Sequence, residues 1–114
     1  MVNRFRVEET EGAAFLADLR SALAVLAERP GYVDGRIGRN MDDPTLWVLT
    51  TRWANVGSYR RALSHYDVKL RSVPLLSRAV DEPSAYELVE PAGETELNVA
   101  VPRSAGRPGP GGAA

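Results

Sequence analysis

The run Leu46-Trp47-Val48-Leu49 is the strongest constraint in this sequence, because a strand whose consecutive side chains are all apolar must be buried on both of its faces. A chain of 114 residues fits one globular domain and leaves no room for a second, so few other elements can supply that cover. Apolar residues recur at spacings of three and four at Phe15, Leu16, Leu19, Leu23 and Leu26, and Pro30-Gly31 stops the pattern after Arg29. This predicts one helix with a buried face, with Thr10 as its N-cap ahead of Glu11. Residues 2–7 read as a short strand before it. Residues 32–41 and 46–53 read as two strands joined by Asp42-Asp43-Pro44-Thr45, whose acidic residues and proline are turn chemistry, so they form a hairpin. Asn55 caps a short helix through Leu63. Ser64 caps another with Asp67 as its capping-box partner, which turns Leu70 and Val73 inward until Pro74 breaks it. Leu75, Leu76 and Ala79 add one more turn before Pro83, and residues 85–90 form the last strand.

The order is β-α-β-β-α-β, which predicts an α+β, ferredoxin-like fold: a four-stranded antiparallel sheet with its helices on one face. Helices on one face leave the other side of the 46–53 strand uncovered, and a second copy of the chain is the simplest cover. A homodimer is therefore expected. The outward face also carries Arg4, Arg6 and Arg52, which makes such an interface partly polar and hydrated. Half of the prolines and half of the glycines fall in the last 24 residues. Residues 1–91 are read as the domain, 92–102 as an extra strand or an arm reaching a partner, and 103–114, with nothing to bury, as a disordered tail.

Fourteen basic and fifteen acidic side chains give a net charge of −1, so charge alone holds neither nucleic acid nor an anionic membrane. No apolar run approaches the ~18 residues of a membrane span. The first residues lack the apolar core of a signal peptide, and a cytoplasmic location is expected. With no cysteine, disulfides, thiolate catalysis, cysteine-ligated zinc and iron–sulfur clusters are excluded, and one histidine cannot build a histidine-rich metal site. No glycine-rich dinucleotide motif, P-loop or nucleophile elbow occurs, so the expectation is no cofactor and no metal.

Alternation along residues 46–53 puts Trp47, Leu49, Thr51 and Trp53 on the face beneath the helices, joined by Asn3, Phe5 and Val7 of the first strand. This set is either plain core or an aromatic floor for a flat, mostly apolar ligand. Asn3 is correspondingly a sheet-edge or capping amide, or a ligand contact. Ser64-His65-Tyr66-Asp67 is no catalytic triad, since neighbours one and two apart on a helix do not converge. His65 is left as an exposed or capping residue, or a ligand-contacting one.

Several stretches resemble a family: Arg29-Pro30-Gly31-Tyr32, Asp42-Asp43-Pro44, Val73-Pro74-Leu75-Leu76, Pro83-Ser84-Ala85-Tyr86-Glu87 and, above all, Arg52-Trp53-Ala54-Asn55-Val56-Gly57-Ser58-Tyr59-Arg60. Over residues 2–90 the chain resembles the antibiotic biosynthesis monooxygenase-like family of dimeric α+β barrel proteins. In members that oxidise aromatic polyketides with molecular oxygen and no flavin, haem or metal, the implied site uses a Trp and a Tyr, matched here by Trp53 and Tyr59, and an Asn four residues before the Trp, which is Leu49 here. Asn3 is the amide that could serve in its place, so the implied catalytic set is Trp53, Tyr59 and Asn3, with Phe5, Trp47, Leu49 and His65 against the substrate. The haem-degrading branch uses an Asn on its first strand, as at Asn3. Its helical Trp falls at Ala62 and its haem-ligating His near Ser72, with His65 about two turns too early. A non-catalytic ligand-binding or accessory protein on the same fold is the other reading, because one fold serves many functions.

Overall fold

In the computed structural model, β3 (Leu46–Trp53) is the middle strand of an antiparallel sheet, between β1 (Val2–Arg6) and β2 (Tyr32–Arg39). The structure describes residues 1–90; the arm and tail expected at 92–102 and 103–114 lie outside them. A 3-10 turn, Glu9–Glu11, leads into α1 (Gly12–Ala27), and α2 (Val56–Ser64), α3 (Tyr66–Arg71) and the short α4 (Val73–Leu76) follow the sheet. The fold is the expected α+β, ferredoxin-like one.

Register explains the core. Phe5 pairs with Trp47 and Asn3 with Leu49 on one side of β3, and Ile37 pairs with Leu49 on the other, so these side chains share the inner face. Phe15, Leu19 and Ala22 of α1 pack down on that face, and Leu26 is buried further along the same helix. The Phe5 and Phe15 rings meet edge to face with centroids 5.1 Å apart, and Phe15 meets Trp47 at 5.7 Å. Each large side chain buried this way contributes on the order of 1.5–3 kcal/mol. The outer face keeps Leu46, Val48 and Thr50 half-buried in the single chain. Around them Arg4 pairs with Glu82, Arg6 with Asp43, and Arg52 with Asp34.

The hairpin turn closes as its chemistry predicts. The Asn40 side chain accepts from the backbone N–H groups of Asp42 and Asp43, and Asp43 accepts from the backbone and hydroxyl of Thr45. Asn55 caps α2, its Oδ1 accepting from the Ser58 N–H at 2.8 Å.

Four local expectations are corrected. Thr10 is not the cap of α1, because the 3-10 turn absorbs it and the helix begins at Gly12 with no side-chain cap. Ser64 ends α2, its hydroxyl donating to the Arg60 carbonyl, and the extended His65 caps α3 instead, Nδ1 accepting from the Asp67 N–H. That one-residue shift rotates the following turn, so Val68 is fully buried and Leu70 is 59% exposed. Finally, among the described residues the sheet has three strands rather than four. The segment after α4 runs along the edge of β1, where Val80 donates to the Arg4 carbonyl and the Val2 N–H donates to the Ser84 carbonyl. Four residues there span two on β1, and Pro83 has no N–H to give, so no ladder forms.

Gly31, at φ +90°, turns the chain from α1 into β2, and a Cβ there would lie 2.3 Å from the Ser58 side chain of α2. The Ala54 N–H also donates to the Gly31 carbonyl, so this turn is the seat of α2. Gly31→Ala should lower stability by about 2 kcal/mol, or about 10 °C in Tm. Thermal denaturation checks it, with Gly57→Ala as the comparison, where the nearest atoms lie at 3.1 Å or beyond.

Candidate functional site

Trp53 is the last residue of β3, and the Asn55 cap starts α2 two residues later, so Tyr59 falls one helical turn into α2 beside it. Their ring centroids are 5.9 Å apart. A third ring arrives from β2 by way of a bulge. Tyr32 pairs with Trp53 and Asp34 with Arg52, so Val33 is an extra residue between them and is 50% exposed. In a regular strand, residues 32 and 34 would share a face. The bulge separates them, sending the Tyr32 ring inward against Trp53 at 5.5 Å, edge to face, and the Asp34 carboxylate outward. Gly35 leaves room for that ring, since a Cβ there would lie 2.6 Å from the Tyr32 hydroxyl and from Leu23 of α1.

Beside these rings is a cleft of about 800 Å³, lined by the end of β3, the first turn of α2, the start of β1 and residues 85–88. Trp53 and Tyr59 line it with Arg52, Arg60, Tyr86 and Glu87. It is large enough for a polycyclic small molecule. The Trp53 indole N–H donates to the Thr51 hydroxyl at 2.8 Å. Arg52 grips Asp34 through Nε and Nη2, at 3.1 and 2.6 Å, and that bond holds the Asp34 carboxyl below its usual range. Burial, then the Asp34 charge, pushes the Tyr32 phenol above its usual range. Among the described residues no group of three or more histidine, acidic or cysteine side chains converges as a metal site, and no helix is long and apolar enough to cross a membrane.

Of the residues singled out from sequence, the structure brings Trp53 and Tyr59 together at the cleft. It buries Phe5, Trp47 and Leu49 beneath α1, because their cross-strand pairing places them under Phe15. His65 sits at the N-cap of α3 and does not line the cleft. Asn3 lies on the inner face next to Leu49, and its buried Oδ1 has no hydrogen-bond partner among the described residues. Asn3 is not among the residues that line the cleft. Ala62 and Ser72 are buried packing positions; the Ser72 hydroxyl ties α1 by donating to the Ala22 carbonyl. Sequence reasoning missed Tyr32, the Thr51 anchor and the wall at residues 85–88. No local signal marks a bulge at Val33, whereas Tyr86 was visible as an aromatic after Pro83.

A family model described as antibiotic biosynthesis monooxygenase matches residues 1–69. No curated protein matches the sequence. Among solved structures, a variant of SnoaB, a cofactor-independent oxygenase from Streptomyces nogalater, is 25% identical with a TM-score of 0.63, covering 77% of this chain and 92% of that one. A proposed antibiotic biosynthesis monooxygenase from Deinococcus radiodurans is 17% identical with a TM-score of 0.66, covering 84% and 100%. Another from Nitrosomonas europaea is 19% identical at 0.61, covering 81% and 90%. The last two likenesses carry the fold alone.

Asp34, Asp43 and Glu82 all have lowered carboxyl pKa values, caused first by hydrogen bonds from Arg52, Thr45 and Arg4 respectively. Below the ordinary carboxylate range the unfolded chain takes up protons that the folded chain resists. The stabilisation is therefore complete above about pH 5 and is lost as the pH falls below about 4 through the lowered folded-state values. Tm should fall as the pH drops below about 4, and Asp34→Asn should blunt the fall.

Proposed function

The chain belongs to the antibiotic biosynthesis monooxygenase family, and from that premise we propose that it is a cofactor-independent oxygenase acting on an aromatic, polyketide-type small molecule. The observation that carries this reading is the Trp53–Tyr59 pair, 5.9 Å apart on the wall of a cleft of about 800 Å³. Trp53 is the flat apolar wall, and Tyr59 donates a hydrogen bond to a substrate oxygen or relays its proton.

The chemistry asks little of the protein. A methylene between phenolic rings, as in an anthrone, loses a proton to give an electron-rich anion that reduces O2 itself. One oxygen atom stays on carbon as the new carbonyl and the other leaves as water, so one CH2 and one O2 give one C=O and one H2O with no outside reductant. The protein's part is to hold the substrate, favour its anion and exclude bulk water.

The fully buried Leu49, standing where the quinone-forming members carry an amide, favours a second reading: the same cleft binds an aromatic molecule without oxidising it. Oxygen uptake separates the two. An electron-rich anthrone should consume O2 faster with the protein than in buffer, with no added cofactor. Tyr59→Phe should then lower kcat by about tenfold or more while changing affinity by less than about threefold, as expected of a hydroxyl that acts in the transition state. Quenching of tryptophan fluorescence without oxygen uptake selects the binding protein, and neither effect across a panel of polycyclic phenols overturns both.

The functional unit in this reading is a homodimer joined through the outer sheet face, in the cytoplasm. Leu46, Val48 and Thr50 support it, as a half-buried row rimmed by ion pairs. Light scattering should give the dimer mass, and Val48→Arg should give the monomer. A monomeric mass for the native chain at micromolar concentration overturns this part.

A further inference from the structure

We propose that Thr51 is a positioning residue of the cleft: its buried hydroxyl holds the Trp53 indole N–H, fixing the ring as a purely apolar wall and leaving recognition of the ligand's oxygens to other groups. The inference rests on the reading of the cleft as a ligand site and deepens it. Thr51 is 2% exposed, on the inner face of the central strand. Its backbone N–H donates to the Met1 carbonyl on one side, and Gly35 is its partner on the other, so the hydroxyl stands on a base secured from both edges. Trp53 Nε1 donates to Thr51 Oγ1 at 2.8 Å, good geometry for an N–H···O bond. Tyr32 meets the same indole at 5.5 Å and 85°, and Tyr59 meets it at 5.9 Å and 54°. The ring is thus restrained by a hydrogen bond at its nitrogen and by two aromatic neighbours.

This restraint has a chemical consequence for the ligand. An indole N–H is a donor only, with one hydrogen to give, and Thr51 has taken it. Trp53 therefore offers the cleft carbon surface and π density. The ligand edge against it is the unsubstituted one, and the oxygenated edge lies toward Tyr59 and Arg60, which line the same cleft from α2. A polycycle with its oxygens gathered on one edge fits this arrangement, and one oxygenated all round does not.

The test begins with the free protein. Proton–nitrogen correlation spectra contain two indole N–H signals, since the chain has two tryptophans, and loss of one in Trp53→Phe assigns it. Thr51→Val removes the acceptor at nearly constant shape. It should speed solvent exchange of the Trp53 N–H by about tenfold or more, and Thr51→Ser should restore the slow exchange. With 1,8-dihydroxyanthrone under nitrogen as the probe, whose three oxygens share one edge, Thr51→Val should weaken binding about fivefold in the native background and by less than about twofold when Trp53 is already Phe, because Thr51 acts through that ring. Where the valine variant fails to fold, Thr51→Ala removes the same acceptor with less bulk.

Unchanged exchange in Thr51→Val, or no recovery in Thr51→Ser, overturns the proposal. An affinity loss that persists undiminished in Trp53→Phe also overturns it. If native protein binds neither 1,8-dihydroxyanthrone nor any other polycyclic phenol, the ligand-site reading fails, and the exchange comparison still decides whether Thr51 holds Trp53.

Discussion

The rest of the structure depends on the burial of β3. A strand apolar on both sides can sit only in the middle of a sheet, with hydrogen-bonded neighbours at both edges and cover above and below. The hairpin supplies one edge through β2, and the crossover through α1 brings β1 to the other. Once β1 is in place, Phe5 lies opposite Trp47 and Asn3 opposite Leu49, and the row under α1 becomes core. The same strand runs on to Trp53 at the edge of the cleft. Site and core are consecutive parts of one element, so the cleft inherits the rigidity of the sheet.

Three backbone devices convert that strand end into a site. The bulge at Val33 sends Tyr32 inward and Asp34 outward. The Asn55 cap starts α2 where Tyr59 comes beside Trp53. Gly31 gives α2 a seat that any other residue would obstruct. Two polar groups beside the rings are already engaged: the Trp53 N–H by Thr51, and Arg52 by Asp34. Burial raises the Tyr32 phenol above its usual range. Such surroundings hold an aromatic molecule in place and supply few strong acids or bases, which suits a substrate that brings its own electrons.

Much of this was legible along the chain. The spacing of Phe15, Leu19 and Leu26 identifies the buried face of α1, Asn55 is a cap by type and position, and Asn40 and Asp43 close the turn expected of Asp42-Asp43-Pro44-Thr45. The misses have common causes. Ser64 and Thr10 are good caps by residue type, yet each was taken into a preceding or intervening turn, and a cap displaced by one residue rotates everything after it, as Val68 and Leu70 show. Residues 85–90 read as a last strand, but the chain that reaches them beside β1 lacks the donor at Pro83 and keeps a wider stride, so no ladder forms among the described residues.

By itself the sequence determined the order of the elements from β1 to α2, the central place of β3, the helix face that packs on it, the Asn55 cap and the turn between β2 and β3. Those properties are set by residues within a few positions of one another, through periodicity, φ preferences and side-chain oxygens that meet nearby N–H groups. Only the tertiary structure decided that Phe5, Trp47 and Leu49 are core while Trp53 and Tyr59 line a cleft, although alternation alone puts Trp47, Leu49 and Trp53 on one face. It also decided that Tyr32 joins them and that Thr51 holds the indole. These outcomes depend on pairings between distant segments, Tyr32 with Trp53, Gly31 with Ser58 and Met1 with Thr51. A single bulge reverses which face a side chain takes, so face and depth are fixed by the partner strand, and a partner strand is not a local property of sequence.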